Sequence, residues 1–265
     1  TFLRGERACR SALSPLYAAG GERYVYDCIP AFASTRGPAI LMDGRSMNQS
    51  LPQLLHDLKH HLLLLSSTVE DAVAKVVQAL VQRDSRLARE VVAADAEIDN
   101  MEVRIEGECQ QILALHQPVA SDLRFVVATL KINNDLERMG DLAKKIGKNV
   151  SYLCGVPPTS ADVDFREIAE KARLMVKRSM DAFVNSDVDL ARQVLADDDE
   201  VDRLKDELYE ELRNTIRKNP DELDSLLKLY SVTRNLERLG DMATHVAEEV
   251  IFIIEGDIER PNAGA

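Results

Sequence analysis

Apolar residues recur three and four positions apart along most of the chain, the spacing that lines one face of a helix with 3.6 residues per turn. Leu54, Leu58, Leu62, Leu65, Val69, Val73 and Val76 form the first such face and predict a helix over about 50–82. Leu87, Val91, Ala94, Ile98, Met101 and Ile105 predict a second over about 85–116, which Gln117-Pro118 breaks. Leu136, Met139, Ala143, Ile146, Val150 and Leu153 carry a third, begun near Ser121 and ended by Gly155 with Pro157-Pro158 beyond. The pattern then restarts. It predicts helices over 168–184 and 190–216, a turn at Asn219-Pro220, and a last helix on Leu236, Leu239, Ala243, Val246, Val250 and Ile253, closed by Gly256 and Pro261.

The restart is a repetition. Asp135-Leu136-Glu137-Arg138-Met139-Gly140-Asp141 returns as Asn235-Leu236-Glu237-Arg238-Leu239-Gly240-Asp241. Upstream, Asp84, Leu87, Ala88, Arg89, Val91, Ala93, Asp95, Glu97 and Asp99 return as Asp187, Leu190, Ala191, Arg192, Val194, Ala196, Asp198, Glu200 and Asp202 at the same internal spacing. Two matched blocks in the same order mark an internal duplication. The expected fold is all-α: two antiparallel three-helix bundles in tandem, over 47–156 and 162–256. Residues 1–46 stand outside the repeat, with Gly20-Gly21, Pro30 and Pro38 and no sustained helical period, and are expected to be a disordered extension without assigned function. Residues 257–265 form a tail.

Composition narrows the function. Trp is absent and strand signals are nearly missing, in keeping with the helical reading. A net charge of −12 with no long basic stretch sets the field against phosphate backbones, which argues against nucleic acid as a partner. The apolar runs Leu62–Leu65 and Val250–Ile254 are too short to span a bilayer, so no membrane insertion is expected. Cys9, Cys28, Cys109 and Cys154 lack CxxC spacing and read as free thiols of a reducing, cytoplasmic compartment.

Candidate chemistry lies in acidic pairs four residues apart: Asp95/Asp99 with Glu137/Asp141, and Asp198/Asp202 with Glu237/Asp241. Such a pair on one helix is most often a solvated face. Recurrence of all four pairs at duplicated positions, while Lys131, Lys144 and Lys148 have no counterpart in the second copy, points to metal binding instead. Facing helices can bring two pairs together, and four converging carboxylates repel one another unless a cation holds them. Oxygen donors suit magnesium, calcium, manganese or iron. His245 stands one turn after Asp241 as a further candidate ligand, and His56, His60 and His61 read as surface histidines. Arg138 and Arg238 are expected to pair with carboxylates, and Gly140 and Gly240 to allow close helix packing or room for a ligand. No Gly-rich phosphate loop, GxSxG or HExxH occurs, and no His has Glu three residues before it, so the ferritin-like di-iron pattern is missing.

With its paired E/DxxxD motifs on a duplicated three-helix unit, and with Gln117-Pro118-Val119-Ala120-Ser121-Asp122-Leu123-Arg124 leading into the third helix, the chain resembles the PhoU family over about 47–256. The resemblance implies a non-enzymatic cytoplasmic regulator of phosphate uptake and negative regulator of phosphate-starvation signalling. Its implied partners are the ATP-binding subunit of a phosphate ABC transporter and a sensor histidine kinase, with a homodimer among the possible assemblies. It also implies multinuclear iron or zinc on Asp95, Asp99, Glu137, Asp141, Asp198, Asp202, Glu237 and Asp241, with manganese or magnesium as other candidates. The alternative from another class is a metal-dependent phosphoester hydrolase that activates water on a carboxylate-bound metal cluster.

Overall fold

A computed structural model of the chain describes residues 50–161 and 163–256. The extension expected over 1–46 and the tail over 257–265 lie outside the described residues. Six long helices follow in order: α1 (Leu51–Gln82), α2 (Ser85–His116), α3 (Ala120–Cys154), α4 (Arg166–Asn185), α5 (Val188–Lys218) and α6 (Leu223–Glu255). A single 3-10 turn, Pro220–Glu222, precedes α6, and there is no strand among the described residues.

The duplicated Asp-x-x-Leu-Ala-Arg block is a turn-and-cap device. Arg83 and Ser186, each at φ 53°, end α1 and α4 in the left-handed conformation. The next amides close the turn: Asp84 N–H donates to the Ala79 carbonyl at 3.0 Å, and Asp187 N–H to the Ala182 carbonyl at 2.9 Å. Those same aspartates then cap the following helix. Asp84 accepts from the Arg86 and Leu87 amides, and Asp187 accepts from the Leu190 amide, so orphan donors of the first turn are satisfied. A tight reversal of this kind makes neighbouring helices antiparallel.

Helices α1, α2 and α3 pack on one another, and α4, α5 and α6 do the same. The two sets meet along α3 and α6, and also along α1 and α4, and they share a continuous core that includes Leu62, Ile98, Leu136 and Ile146 from one copy and Met175, Val201, Leu236 and Val246 from the other. Three contacts set the register of the α3–α6 seam: Lys131 with Glu249, Asp135 with His245, and Asn149 with Ser231. Four residues forward on one helix is four back on the other wherever the pairs can be compared, so α3 and α6 run antiparallel about a local two-fold axis. Lys131–Glu249 and Ser231–Asn149 occupy the same pair of positions, once as an ion pair at 2.7 Å and once as a neutral hydrogen bond at 3.0 Å.

Two details depart from the sequence reading. Ala94, assigned to the seam of α2, is exposed, and its neighbour Asp95 is buried at 5% exposure. The polar group holds this position because Lys144 of α3 reaches it. Gly147 is a second close-packing glycine: a Cβ there would stand 2.9 Å from the Ala88 carbonyl oxygen of α2. Gly140 lies against Ile98 of α2, whereas Gly240 lies against the Asp198 carboxylate and Met175.

Candidate metal centres

Each copy brings its four acidic residues to the contact between its second and third helices. In the first copy burial chiefly, and then the charges of Asp141, Asp99 and Asp95, raise the carboxyl of Glu137 above the ordinary range. In the second copy burial, followed by Asp241, Asp202, Asp199 and Glu237, pushes Asp198 up to about 6. Burial and then Asp241 raise Glu237, and burial and then Asp202 raise Asp241. All four residues of each predicted set are therefore within electrostatic reach of one another. Among the described residues, however, no three Asp, Glu, His or Cys side chains are drawn into a ready-made coordination shell.

Lysines stand inside both clusters. The Lys144 ammonium donates to Asp95 Oδ2 and lies 3.8 Å from Asp141, which Lys145 also approaches at 3.3 Å. Lys144 has no counterpart in the second copy, yet it does not belong to the ordinary surface: it is the cation that joins the two helices of the first cluster. The second cluster takes its lysine from another helix. Lys205 of α5 donates to Asp202 at 2.8 Å and to Glu237 at 3.4 Å, and lies 3.8 Å from Asp206. The position equivalent to Lys144 is Thr244, whose hydroxyl turns back to the Asp241 carbonyl. No ion pair to Asp198 forms among the described residues.

The donor set fits a hard cation, and two observations make the fit specific. Asp95 Oδ1 is buried without a hydrogen-bond donor, a lone pair that a cation would satisfy. Asp198, crowded by four carboxylates and seated over the bare backbone of Gly240 at 3.5 Å from its would-be Cβ, carries charge that nothing local offsets. Zinc fits less well than an oxygen-seeking ion, because neither cluster includes a thiolate.

The flanking residues sort differently. His245 is drawn across the seam to Asp135 of the first copy, at 3.7 Å, and this buried partner raises its pKa. Arg138 pairs with Asp135 at 3.7 Å. His61 is not a bare surface histidine, since its Nδ1 lies 2.7 Å from Glu108 and its Nε2 2.8 Å from Arg104, tying α1 to α2. Cys109 is buried, and burial pushes its thiol up to about 12. Sequence reasoning missed Lys205 and Lys144 as members of the site. Their spacing of three from Asp202 and Asp141 was the available signal, but their bonds to the facing helix were not legible.

Comparison with known proteins gives a consistent family. The model of the PhoU domain matches twice, over residues 62–150 and 165–250. The phosphate-specific transport system accessory protein PhoU homolog of Pseudomonas aeruginosa is 38% identical over 212 residues, covering 79% of this chain and 87% of that protein. The protein of the same description from Clostridium acetobutylicum is 34% identical over 203 residues, 76% and 93% of the two chains. The crystal structure of PhoU from Pseudomonas aeruginosa superposes with a TM-score of 0.76 at 37% identity over 78% of this chain and all of that one. The phosphate transport system regulatory protein PhoU from Streptococcus pneumoniae, at 24% identity and a TM-score of 0.71, shares the fold.

Proposed function

The chain belongs to the PhoU family, and from that membership we propose that it is a cytoplasmic, metal-binding regulator of phosphate uptake and phosphate-starvation signalling. The family is one of accessory and regulatory proteins, not of enzymes, and the phosphoester hydrolase is set aside on that ground. No described helix is long and apolar enough to cross a membrane. In this reading the chain docks on the cytoplasmic parts of the transporter. The partners in this reading are the ATP-binding subunit of the phosphate transporter and a sensor histidine kinase.

The observation that carries the reading is the double match of the family model to both copies of the helical unit. The two carboxylate clusters support the metal role: Asp95, Asp99, Glu137 and Asp141 would hold one site, and Asp198, Asp202, Glu237 and Asp241 the other. A bound iron, manganese, magnesium or zinc ion supplies positive charge where four carboxylates otherwise oppose one another. The protein's own residues do the rest. Helical spacing along α2 and α5 sets the aspartates in pairs one turn apart, while α3 and α6 hold the Glu/Asp pairs opposite them and, through their seam, fix one site relative to the other.

Expression of the chain in a bacterium lacking its own family member tests the regulatory role. Restored repression of a phosphate-starvation reporter in phosphate-rich medium is expected, and a reporter that stays on overturns the reading. For the metal role, elemental analysis of the purified protein and of a Glu137→Ala/Asp141→Ala variant is decisive. With both proteins first equilibrated with excess metal and then freed of unbound ion, bound metal should fall by about half, one of two sites being lost, and undiminished metal refutes the assignment.

A further inference from the structure

Lys144 and Lys205 are not equivalent positions, yet each places an ammonium among the four carboxylates of its own copy. Lys144 comes from the third helix of the first unit, at a position that is Thr244 in the second. Lys205 comes from the middle helix of the second unit, at the position of Glu102 in the first. Two non-equivalent positions supply the same object. Both lysines are largely sheltered, at 28% and 26% side-chain exposure, so each cation is confined to its cluster rather than waving in solvent.

We propose that these lysines are built-in counter-ions that a metal must displace, and that their different placement makes the two metal sites unequal. This rests on the metal role proposed above. In the first cluster the ammonium engages Asp95, the most buried of the eight carboxylates, and Asp141 is held by both Lys144 and Lys145. A cation entering there has to strip lysine from one donor on each helix, although Asp95 keeps a second, donor-free oxygen ready to accept it. In the second cluster Lys205 engages Asp202 and Glu237, which leaves Asp198 on α5 with no cation near it, while Asp241 on α6 feels Lys205, His245 and Arg238 without an ion pair to any of them among the described residues. The second site therefore binds first and tightest. The lysines also keep the helices together when no metal is present, because they remove part of the repulsion that would otherwise part them.

Titration with manganese(II), followed by the loss of the free-ion electron paramagnetic resonance signal, reads this directly. The parent is expected to show two affinity classes, the tighter abolished by Asp198→Asn/Asp241→Asn and the weaker by Asp99→Asn/Glu137→Gln. Lys144→Met should tighten the weaker class by about tenfold or more, the scale expected for removing a unit charge a few Å from a divalent cation in a half-exposed site. Lys144→Arg, which keeps the charge, should leave it as in the parent, and Lys148→Met, an exposed lysine of the same helix, should change nothing. Lys205→Met provides the same test in the second cluster should Lys144→Met not fold. Manganese binding in the parent that neither lysine variant alters overturns the counter-ion role while leaving the metal role standing. Binding by the lysine variants but not by the parent supports it, and binding by none of them overturns both.

Discussion

The ammonium of Lys131 on α3 lies 2.7 Å from Oε1 of Glu249 on α6, and this ion pair spans the two copies of the duplicated unit. Glu249 is only 14% exposed and its other oxygen has no hydrogen-bond donor, so Lys131 is the group that keeps a sheltered charge tolerable. The aliphatic stem of the lysine also brings its ammonium within 5.5 Å of the Phe252 ring, one turn further along.

Removal of that cation is expected to cost more than removal of the pair. Lys131→Met should lower unfolding stability by about 1–3 kcal/mol, because it strands a mostly buried carboxylate. Lys131→Met combined with Glu249→Gln should recover part of the loss. Urea denaturation of the three proteins measures it, and a single variant as stable as the parent would show the pair to be energetically idle.

Asp198 provides a pH dependence of defined sign. Its carboxyl is pushed from the ordinary 3.8 up to about 6 by burial first and by Asp241, Asp202, Asp199 and Glu237 after that. Between those values the folded protein keeps a proton that the unfolded chain has released, so its contribution to stability is fully present below about pH 4 and is lost as the pH rises through about 6. In metal-free protein Asp198→Asn should therefore stabilise at pH 7, by about 1 kcal/mol once solvent screening is allowed for, and should have no effect near pH 4. Urea midpoints at the two pH values in the presence of a chelator check this; a variant weaker than the parent at pH 7 contradicts it.

Two helical glycines should respond oppositely to alanine. At Gly107 in α2 a new Cβ meets nothing within 4 Å, so Gly107→Ala should gain about 1 kcal/mol of helix propensity. At Gly147 the Cβ would stand 2.9 Å from the Ala88 carbonyl, forcing α2 and α3 apart. The strain, about 1–3 kcal/mol, should outweigh the propensity gain and leave Gly147→Ala net destabilised. Thermal unfolding of the two variants gives the comparison, and a stabilised Gly147→Ala would mean that the helices separate freely.

The two described cysteines should differ sharply in alkylation. Cys109 is fully buried with its thiol pushed up to about 12, whereas the half-buried Cys154 donates to the Arg83 carbonyl near the end of α1. At pH 8 iodoacetamide is expected to modify Cys154 in the native protein and Cys109 only on unfolding. Peptide mass spectrometry resolves the two, and equal labelling under native conditions would indicate that α2 opens locally.

Much of the architecture was legible because helical periodicity is a local property. The seams through Leu136, Met139, Ala143 and Ile146, and through Leu236, Leu239, Ala243 and Val246, read directly as buried faces, and all eight are buried. The Asp-x-x-Leu-Ala-Arg repeat likewise marked two equivalent helix starts, since an N-cap acts within three residues of itself. Ala94 and Asp95 show where that reading stops. An aspartate enters a core-facing position only when a distant side chain neutralises it, and Lys144 lies forty-nine residues away.

The sequence by itself determined the class of fold, the duplication, the places where helices begin and end, and the eight acidic residues that mark the candidate sites, because each depends on neighbours a few positions along the chain. Only the tertiary structure decided how α3 and α6 meet, that His245 faces Asp135 rather than simply extending the Asp241 cluster, and that a lysine sits in each cluster. These follow from which helix faces pack together, and a charge interacts through space with whatever that packing brings near. Lys144 and Lys205 occupy unrelated positions in the chain and equivalent roles in the fold, a correspondence that no alignment of the two copies contains.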